Sequence, residues 1–380
     1  MAGLRIGIDY TSAHHQTAGI GRRTREMVRA LADLGIPHTV RLFVQEARQD
    51  DLPARPGDNF SWHPTRLSER WIARLWQRAR LPLPRVTWWT GPLDLYHSPD
   101  FVLPPLPPGV PGVLTVHDLS FVRTPDSTMP GMQRYLGEGV PRSVARAAHV
   151  VAVSECTKAD LVEMYGTPPE KISVIYAGVQ PHFEPVEDAE RLQAVRRRYG
   201  LGQEPFILTV GTLQPRKNHL RLVQAFARLE GGYRLVISGG PGWDYEAVPA
   251  EVARLGLEKR VVFPGFVADE DLPALYSAAD LFVYPSLYEG FGLPVLEAMA
   301  CGTPVVAASD SALPEVVGEA GLLADPLDVD ALAEAMKRLL ADADWRERMV
   351  EAARARAATF TWERAARQLL ALYERVAGRD

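Results

Sequence analysis

No stretch of this chain stays apolar over the roughly 18 residues that a membrane span needs. Its start, Met1-Ala2-Gly3-Leu4-Arg5-Ile6, lacks the apolar core of a signal peptide. Neither a spanning protein nor one exported by that route is expected. The sequence contains two cysteines, Cys156 and Cys301, too few for a disulfide framework, so a reducing cytoplasm is the expected compartment. Strong charge is also missing. The formal net charge is -5 from 42 Lys+Arg against 47 Asp+Glu, which falls well short of a basic nucleic-acid binder, and no nucleic-acid partner is expected. No Walker loop and no Gly-x-Ser-x-Gly elbow occurs. The loop Gly19-Ile20-Gly21 lacks the third glycine and the distal acid of a dinucleotide fingerprint, and the histidines show no metal-ligand spacing.

What the chain does have is alternation. Short apolar runs recur at Arg5 to Asp9, His38 to Val44, Leu93 to His97, Val113 to Val116, Val150 to Val153 and Ile172 to Tyr176, with helical patterns between several of them. Gln45 to Asn59 and Pro104 to Pro111 read as loops. A Pro-rich, acidic seam at Gln180 to Pro205 precedes a second series: Phe206 to Val210, Tyr233 to Ile237, Val261 to Phe263, Leu281 to Tyr284 and Pro304 to Ala308. At 380 residues two cores are expected. The fold class is therefore α/β: two doubly wound, Rossmann-like domains, residues 1–185 and 186–360, facing each other across a cleft. The last helix, about 361–380, is expected to pack back onto the first domain.

The densest functional stretch is Pro285 to Gly302, P-S-L-Y-E-G-F-G-L-P-V-L-E-A-M-A-C-G. A strand, a glycine turn and a helix N-terminus make an anion site there, because unpaired N–H groups and the helix dipole point outward. Glu289 and Glu297 flank it. Arg216 and Lys217, in G-T-L-Q-P-R-K-N after the strand ending at Val210, place two cations at a strand's carboxyl end. Cations are unfavourable at a helix start, so a negatively charged leaving group would explain them. His117-Asp118 closes another strand, where the imidazole could bind a hydroxyl, transfer a proton or simply be buried in the core. The pairs Asp328/Asp330 and Asp342/Asp344 invite a metal reading, but each begins a helix, where an aspartate N-cap accounts for it. The basic stretch Glu69 to Arg80 carries Trp71 and Trp76. Its apolar spacing is that of a packed core helix, and the other reading is contact with a membrane surface or lipid-linked acceptor.

Taken together these residues resemble the retaining glycosyltransferases of family 4, which have the GT-B fold. The likeness rests on Glu289-Gly-Phe-Gly-Leu-Pro-Val-Leu-Glu297 and is supported by the Gly19 loop, T-V-H-D-L at 115 to 119, V-S-E at 153 to 155, V-G-T-L-Q-P-R-K-N at 210 to 218, G-F-V at 265 to 267 and F-T-W-E at 360 to 363. The resemblance implies transfer of a hexose from a nucleotide sugar to a glycan, lipid-linked or small-molecule acceptor, with no cofactor and no metal. The second domain would bind the donor. Arg216 and Lys217 would hold its diphosphate, with Gly211 and Thr212 beside them. Gly290, Phe291, Gly292 and Leu293 would offer backbone amides, Glu289 would meet sugar hydroxyls and Glu297 the ribose. Phe266 and Val267 would lie along the base. His117 would sit beside the transferred sugar, Gly19 and Gly21 near phosphate and acceptor, and Asp118 and Ser154 on the acceptor side. Many members carry Arg where this chain has Thr212, with Arg216 supplying that charge. This departure is similar to mannosyl- and rhamnosyl-type enzymes and favours GDP-mannose over a UDP- or dTDP-sugar. Peripheral contact with the inner membrane face fits a lipid-linked acceptor. Rival readings are an epimerase or phosphorylase of the same fold, or a silent nucleotide-sugar binder.

Overall fold

The computed structural model describes residues 3–17, 19–78, 81 and 83–378. The chain divides into two units. The first is Met1–Val122 with Pro130–Gly178 and Thr361–Asp380, and the second is Arg123–Met129 with Val179–Phe360.

The first unit holds β1 (Arg5–Asp9), β2 (Thr39–Val44), β3 (Phe60–Pro64), β4 (Leu95–Ser98), β5 (Gly112–Val116), β6 (His149–Ala152) and β7 (Ile172–Val174). They pair in the order β3-β2-β1-β4-β5-β6-β7, every pair parallel. A parallel sheet needs cover on both faces, so its strands read as continuous apolar runs rather than alternating ones. All five residues of β5, Gly-Val-Leu-Thr-Val, are accordingly buried. The second unit holds β8 (Phe206–Val210), β9 (Arg234–Ser238), β10 (Val261–Gly265), β11 (Leu281–Tyr284), β12 (Val305–Ala308) and β13 (Leu322–Ala324), in the order β10-β9-β8-β11-β12-β13. Its core packs Ile207, Leu235, Ile237 and Val283 from the sheet against Leu222, Phe226 and Met336 from helices. Each such side chain contributes about 1.5–3 kcal/mol by leaving water. In both sheets the strand order reverses beside the first strand, between β1 and β4 and between β8 and β11. Crevices that take ligands open outside the carboxyl ends of strands at such reversals.

Several sequence expectations change. β3 replaces a stretch without a predicted strand: Phe-Ser-Trp-His-Pro carries three polar or proline residues, which an edge strand tolerates because only Phe60 and Trp62 need burial. The Gly19 and Gly21 turn is instead the first turn of a helix, Gly19–Asp33. Gly21 is required there because a Cβ would lie 2.3 Å from the Gln16 carbonyl oxygen. The basic Trp segment meets the core on one side only, with Trp76 packed against the first unit's apolar cluster. An α-helix, Glu69–Ala73, capped by Ser68 accepting from Trp71 N, widens into a π-helical turn, Arg74–Arg78. Ile72 is buried, whereas Trp71 is 59% exposed. Ala79 and Arg80 lie outside the described residues.

The N-cap reading of the aspartate pairs holds. Asp328 accepts from Asp330 N at 2.8 Å and Ala331 N at 3.0 Å, and Asp342 accepts from Trp345 N at 2.8 Å. The last helix, Trp362–Val376, belongs to the first unit. It is capped by Thr361, buries Trp362, Leu369 and Leu372, and is tied at Tyr373 to His97 and at Glu374 to His38. Among the described residues no helix is long and apolar enough to cross a membrane.

Candidate functional site

The reversal in the second sheet is built from two loops. After β8 the chain runs through Gly211 to Gln214 into a short 3-10 turn, Pro215–Lys217, and then turns at Asn218, in the left-handed region at φ 58°, into the helix His219–Phe226. Backbone bonds hold this loop against the end of β9: Gly211 N donates to Ser238 O at 2.8 Å and Leu213 N to Gly240 O at 3.0 Å. Gly239, at φ 152°, permits the approach, since a Cβ on it would lie 2.0 Å from Gly211 O. The second loop follows β11 and ends at Gly292, the N-cap of the helix Leu293–Ala300. Asn218 ties the loops by donating to Pro285 O at 3.0 Å and Pro326 O at 2.7 Å, and Leu287 N donates to Arg216 O at 2.8 Å.

This scaffold brings Arg216, Lys217 and Glu289 into one array. Lys217 Nζ donates to Glu289 Oε1 at 2.6 Å and to the Tyr284 hydroxyl at 2.6 Å. Arg216 Nη1 lies 3.0 Å from Glu289 Oε2 and donates to Tyr288 O at 2.5 Å. Glu289 is only 8% exposed. Burial by itself would push its carboxyl up, but the charges of Arg216 and Lys217 outweigh that and hold it at about 2. Glu289 is thus an anion at neutral pH, a poor proton acceptor and a good hydroxyl acceptor. Tyr284 is pushed well above its ordinary range by burial, then by the Glu289 charge, and remains a phenol.

Other expected residues belong to the same unit. Glu297 is buried and accepts from the Tyr276 hydroxyl at 2.9 Å. Phe291 is buried, with its ring centroid 5.8 Å from that of Phe360. Phe266 is 68% exposed beside the buried Val267, so its ring is an open face. Gly211 packs on the Lys217 stem, and Thr212 is exposed. Tyr284, Tyr276 and Asn218 were not singled out from sequence. Tyr284 and Tyr276 sit in apolar runs and carried no polar signal there.

His117, Asp118, Ser154, Gly19 and Gly21 belong to the first unit. His117 Nε2 lies 2.7 Å from the Pro99 carbonyl oxygen, so Nε2 carries the proton and Nδ1 is left as an acceptor. Burial, then the nearby Arg23 charge, lowers this imidazole to about 4, and it is neutral at pH 7. Asp118 accepts from Ser120 N at 2.9 Å. Ser154 is fully buried as the N-cap of the helix Glu155–Tyr165, accepting from Thr157 N at 3.0 Å and donating to Thr157 Oγ1 at 3.0 Å. Its hydroxyl is engaged in that cap.

Residues 17–183 match the family model for glycosyltransferase family 4, and residues 193–356 that for glycosyl transferases group 1. The O-antigen chain mannosyltransferase B of Escherichia coli is 35% identical over 367 residues, covering 94% of this chain and 96% of that protein. The chain belongs to glycosyltransferase family 4. A D-inositol 3-phosphate glycosyltransferase of Salinispora arenicola is 37% identical over 287 residues, covering 70% of this family 4 chain and 63% of that relative. The fold recurs in sucrose-phosphate synthase from Thermosynechococcus elongatus, with a TM-score of 0.79, 24% identity and coverage of 99% and 100%. It recurs also in Anabaena HepE in complex with UDP and glucose, with a TM-score of 0.76, 22% identity and coverage of 98% and 99%. The two parallel-sheet units are those of the GT-B fold, and the resemblance drawn from Glu289 to Glu297 stands.

Proposed function

We propose that this glycosyltransferase moves a hexose, mannose, from GDP-mannose to a hydroxyl of a glycan, lipid-linked or small-molecule acceptor, with retention at the anomeric carbon and without a metal ion. The observation that carries the reading is the buried array of Arg216, Lys217 and Glu289 at the reversal of the second sheet. Mannose is supported by the likeness to the O-antigen mannosyltransferase and by Thr212 standing where many relatives have arginine.

On this reading the donor's C1–O bond breaks with its electron pair passing to the diphosphate, whose charge Arg216 and Lys217 neutralise. The acceptor oxygen bonds C1 on the same face, and its proton goes to the departing phosphate oxygen. Glu289 fixes sugar hydroxyls, and Glu297 the ribose. Gly290 to Leu293, with Gly211 and Thr212, line the diphosphate, and Phe266 and Val267 the base. His117 accepts a hydroxyl of the transferred sugar at Nδ1, with Asp118, Gly19 and Gly21 toward the acceptor. Residues 186–360 would then be the donor half, and 1–185 with the last helix the acceptor half. Catalysis is positioning and electrostatics, with no protein nucleophile.

The cytoplasm suits an enzyme whose two cysteines, Cys156 and Cys301, form no disulfide. Peripheral contact with an anionic bilayer is supported by exposed Arg66, Arg70 and Arg74 interleaved with exposed Leu67 and Trp71. Trp71→Ser should reduce sedimentation with anionic vesicles; wild-type protein that ignores such vesicles would remove this part.

The test of the reading is a comparison of GDP-, UDP- and dTDP-sugars in excess chelator. GDP-mannose should raise thermal stability most. GDP should appear only when acceptor is added, and the product's anomeric signal should match the donor's. Donor isomerisation without acceptor, or inactivity in chelator, would sink it.

A further inference from the structure

The first unit buries a cation that its fold does not neutralise. Arg23, in the helix Gly19–Asp33, is 7% exposed. Its Nη2 donates to the Ile175 carbonyl at 2.7 Å, while Nη1 is buried with no hydrogen-bond partner. Burial lowers this guanidinium to about 10, which leaves it charged at neutral pH, and no carboxylate contributes to that shift. A buried charge without a counter-charge costs several kcal/mol.

Arg23 lines a cavity together with Thr24, His97, Pro99, Thr115 and Ile175 among apolar side chains, with about 20 Å³ open to the centre of a water-sized sphere. That is room for one water-sized occupant and too little for a phosphate. Another polar part of the lining belongs to a hydrogen-bond chain. His97 Nδ1 lies 2.6 Å from the Tyr373 hydroxyl and Nε2 lies 2.8 Å from Thr115 Oγ1. Burial, then Arg23, lowers His97 to about 3, so the ring is neutral and carries one proton. With that proton on Nδ1, the Tyr373 hydroxyl hydrogen would have no acceptor in the core. With it on Nε2, Tyr373 donates to Nδ1, Nε2 donates to Thr115, and the Thr115 hydroxyl hydrogen is released toward the cavity. Of the polar side chains in the lining, Arg23 and Thr115 then each offer a donor, while the Thr24 hydroxyl is spent on the Ile20 carbonyl at 3.0 Å. Water would satisfy the hydrogen bonds but not the charge.

We propose that this cavity is an anion site, holding one halide-sized monovalent anion between Arg23 Nη1 and the Thr115 hydroxyl. The site lies wholly inside the first unit and does not depend on the sugar-transfer reading. Crystals grown in bromide should give an anomalous peak at hydrogen-bond distance from Arg23 Nη1. Melting of the full chain should rise by about 3–5 °C in saturating bromide or chloride over gluconate at equal ionic strength. Arg23→Gln should abolish the difference, which separates it from general salt effects. Should that variant fail to fold, Thr115→Val should shift the halide titration to higher concentration. An ordered water in place of bromide, or equal melting of wild type in halide and gluconate, would overturn the proposal.

Discussion

Replacing Glu289 by glutamine removes the negative charge between Arg216 and Lys217 while keeping the shape of the loop. Two routes give the cost. Moving the carboxyl from 4.5 to about 2 corresponds to about 3 kcal/mol of preference for the ionised form in the folded protein. Breaking a buried ion pair by removing one partner costs about 3–5 kcal/mol, because the other charge is left uncompensated. The carboxyl is 8% exposed, so little of this is screened by solvent. Glu289→Gln should therefore destabilise the second unit by about 3 kcal/mol at pH 7. Because the folded value lies below the unfolded one, this contribution is fully present above pH 4.5 and is lost as pH falls toward about 2. Wild type and variant should thus converge in acid. Urea titrations read through amide protection of β8 and β11 report this unit rather than the whole chain. Adding Lys217→Met to the variant should recover part of the loss. A variant as stable as wild type at pH 7, or a gap that does not close on acidification, would refute the ion array as drawn.

Lys217→Ala should lower kcat/KM for transfer by about 10²–10³, the usual cost of losing one donor to a developing anion; unaltered donor binding and turnover would exclude a diphosphate at Lys217. His117→Gln should lower kcat and weaken the thermal stabilisation given by GDP-mannose while leaving that given by GDP unchanged. Any inflection in the wild-type rate near pH 6.5 that disappears in this variant would contradict a neutral His117. Four buried histidines are lowered from 6.5, His97 and His219 to about 3 and His117 and His149 to about 4. Each resists protonation only when folded, so their contribution is complete above pH 6.5 and falls between 6.5 and about 3. Melting temperature should drop across that window, and a flat profile would contradict the burial of these rings.

Where a residue's role is dictated by the chain near it, the sequence was enough to read it. Leu281 to Tyr284 has the bounds expected of it, and the aspartates at 328 and 342 cap their helices as their positions implied, because apolar runs and caps are local features. The Glu289 array was legible as a set of residue types but not as a geometry. That Lys217 donates to both Tyr284 and Glu289 depends on β8 and β11 being neighbours, a pairing across 67 to 72 positions. β3 escaped notice because an edge strand need bury only alternate residues. The exposure of Trp71 beside the core-facing Ile72 and Trp76 was not legible either, since apolar spacing fixes a helical face and only the tertiary neighbours decide which of its residues are covered.

The two reversals share a topology and differ in charge. In the second sheet the crevice is lined by ionised groups, with Glu289 held down at about 2 by two cations. At the reversal of the first sheet the groups are driven toward neutrality. Burial, then Asp9 and Glu69, raises Asp100 to about 7, and burial also raises Asp9, which accepts from Tyr96 at 3.3 Å. His117, one strand further along, is lowered to about 4. Neutral donors and acceptors in a poorly solvated setting recognise hydroxyls without the desolvation cost of a full charge. A diphosphate instead rewards the cations of the second unit. The assignment of donor to one half and acceptor to the other is therefore supported by electrostatics that the shared fold does not dictate.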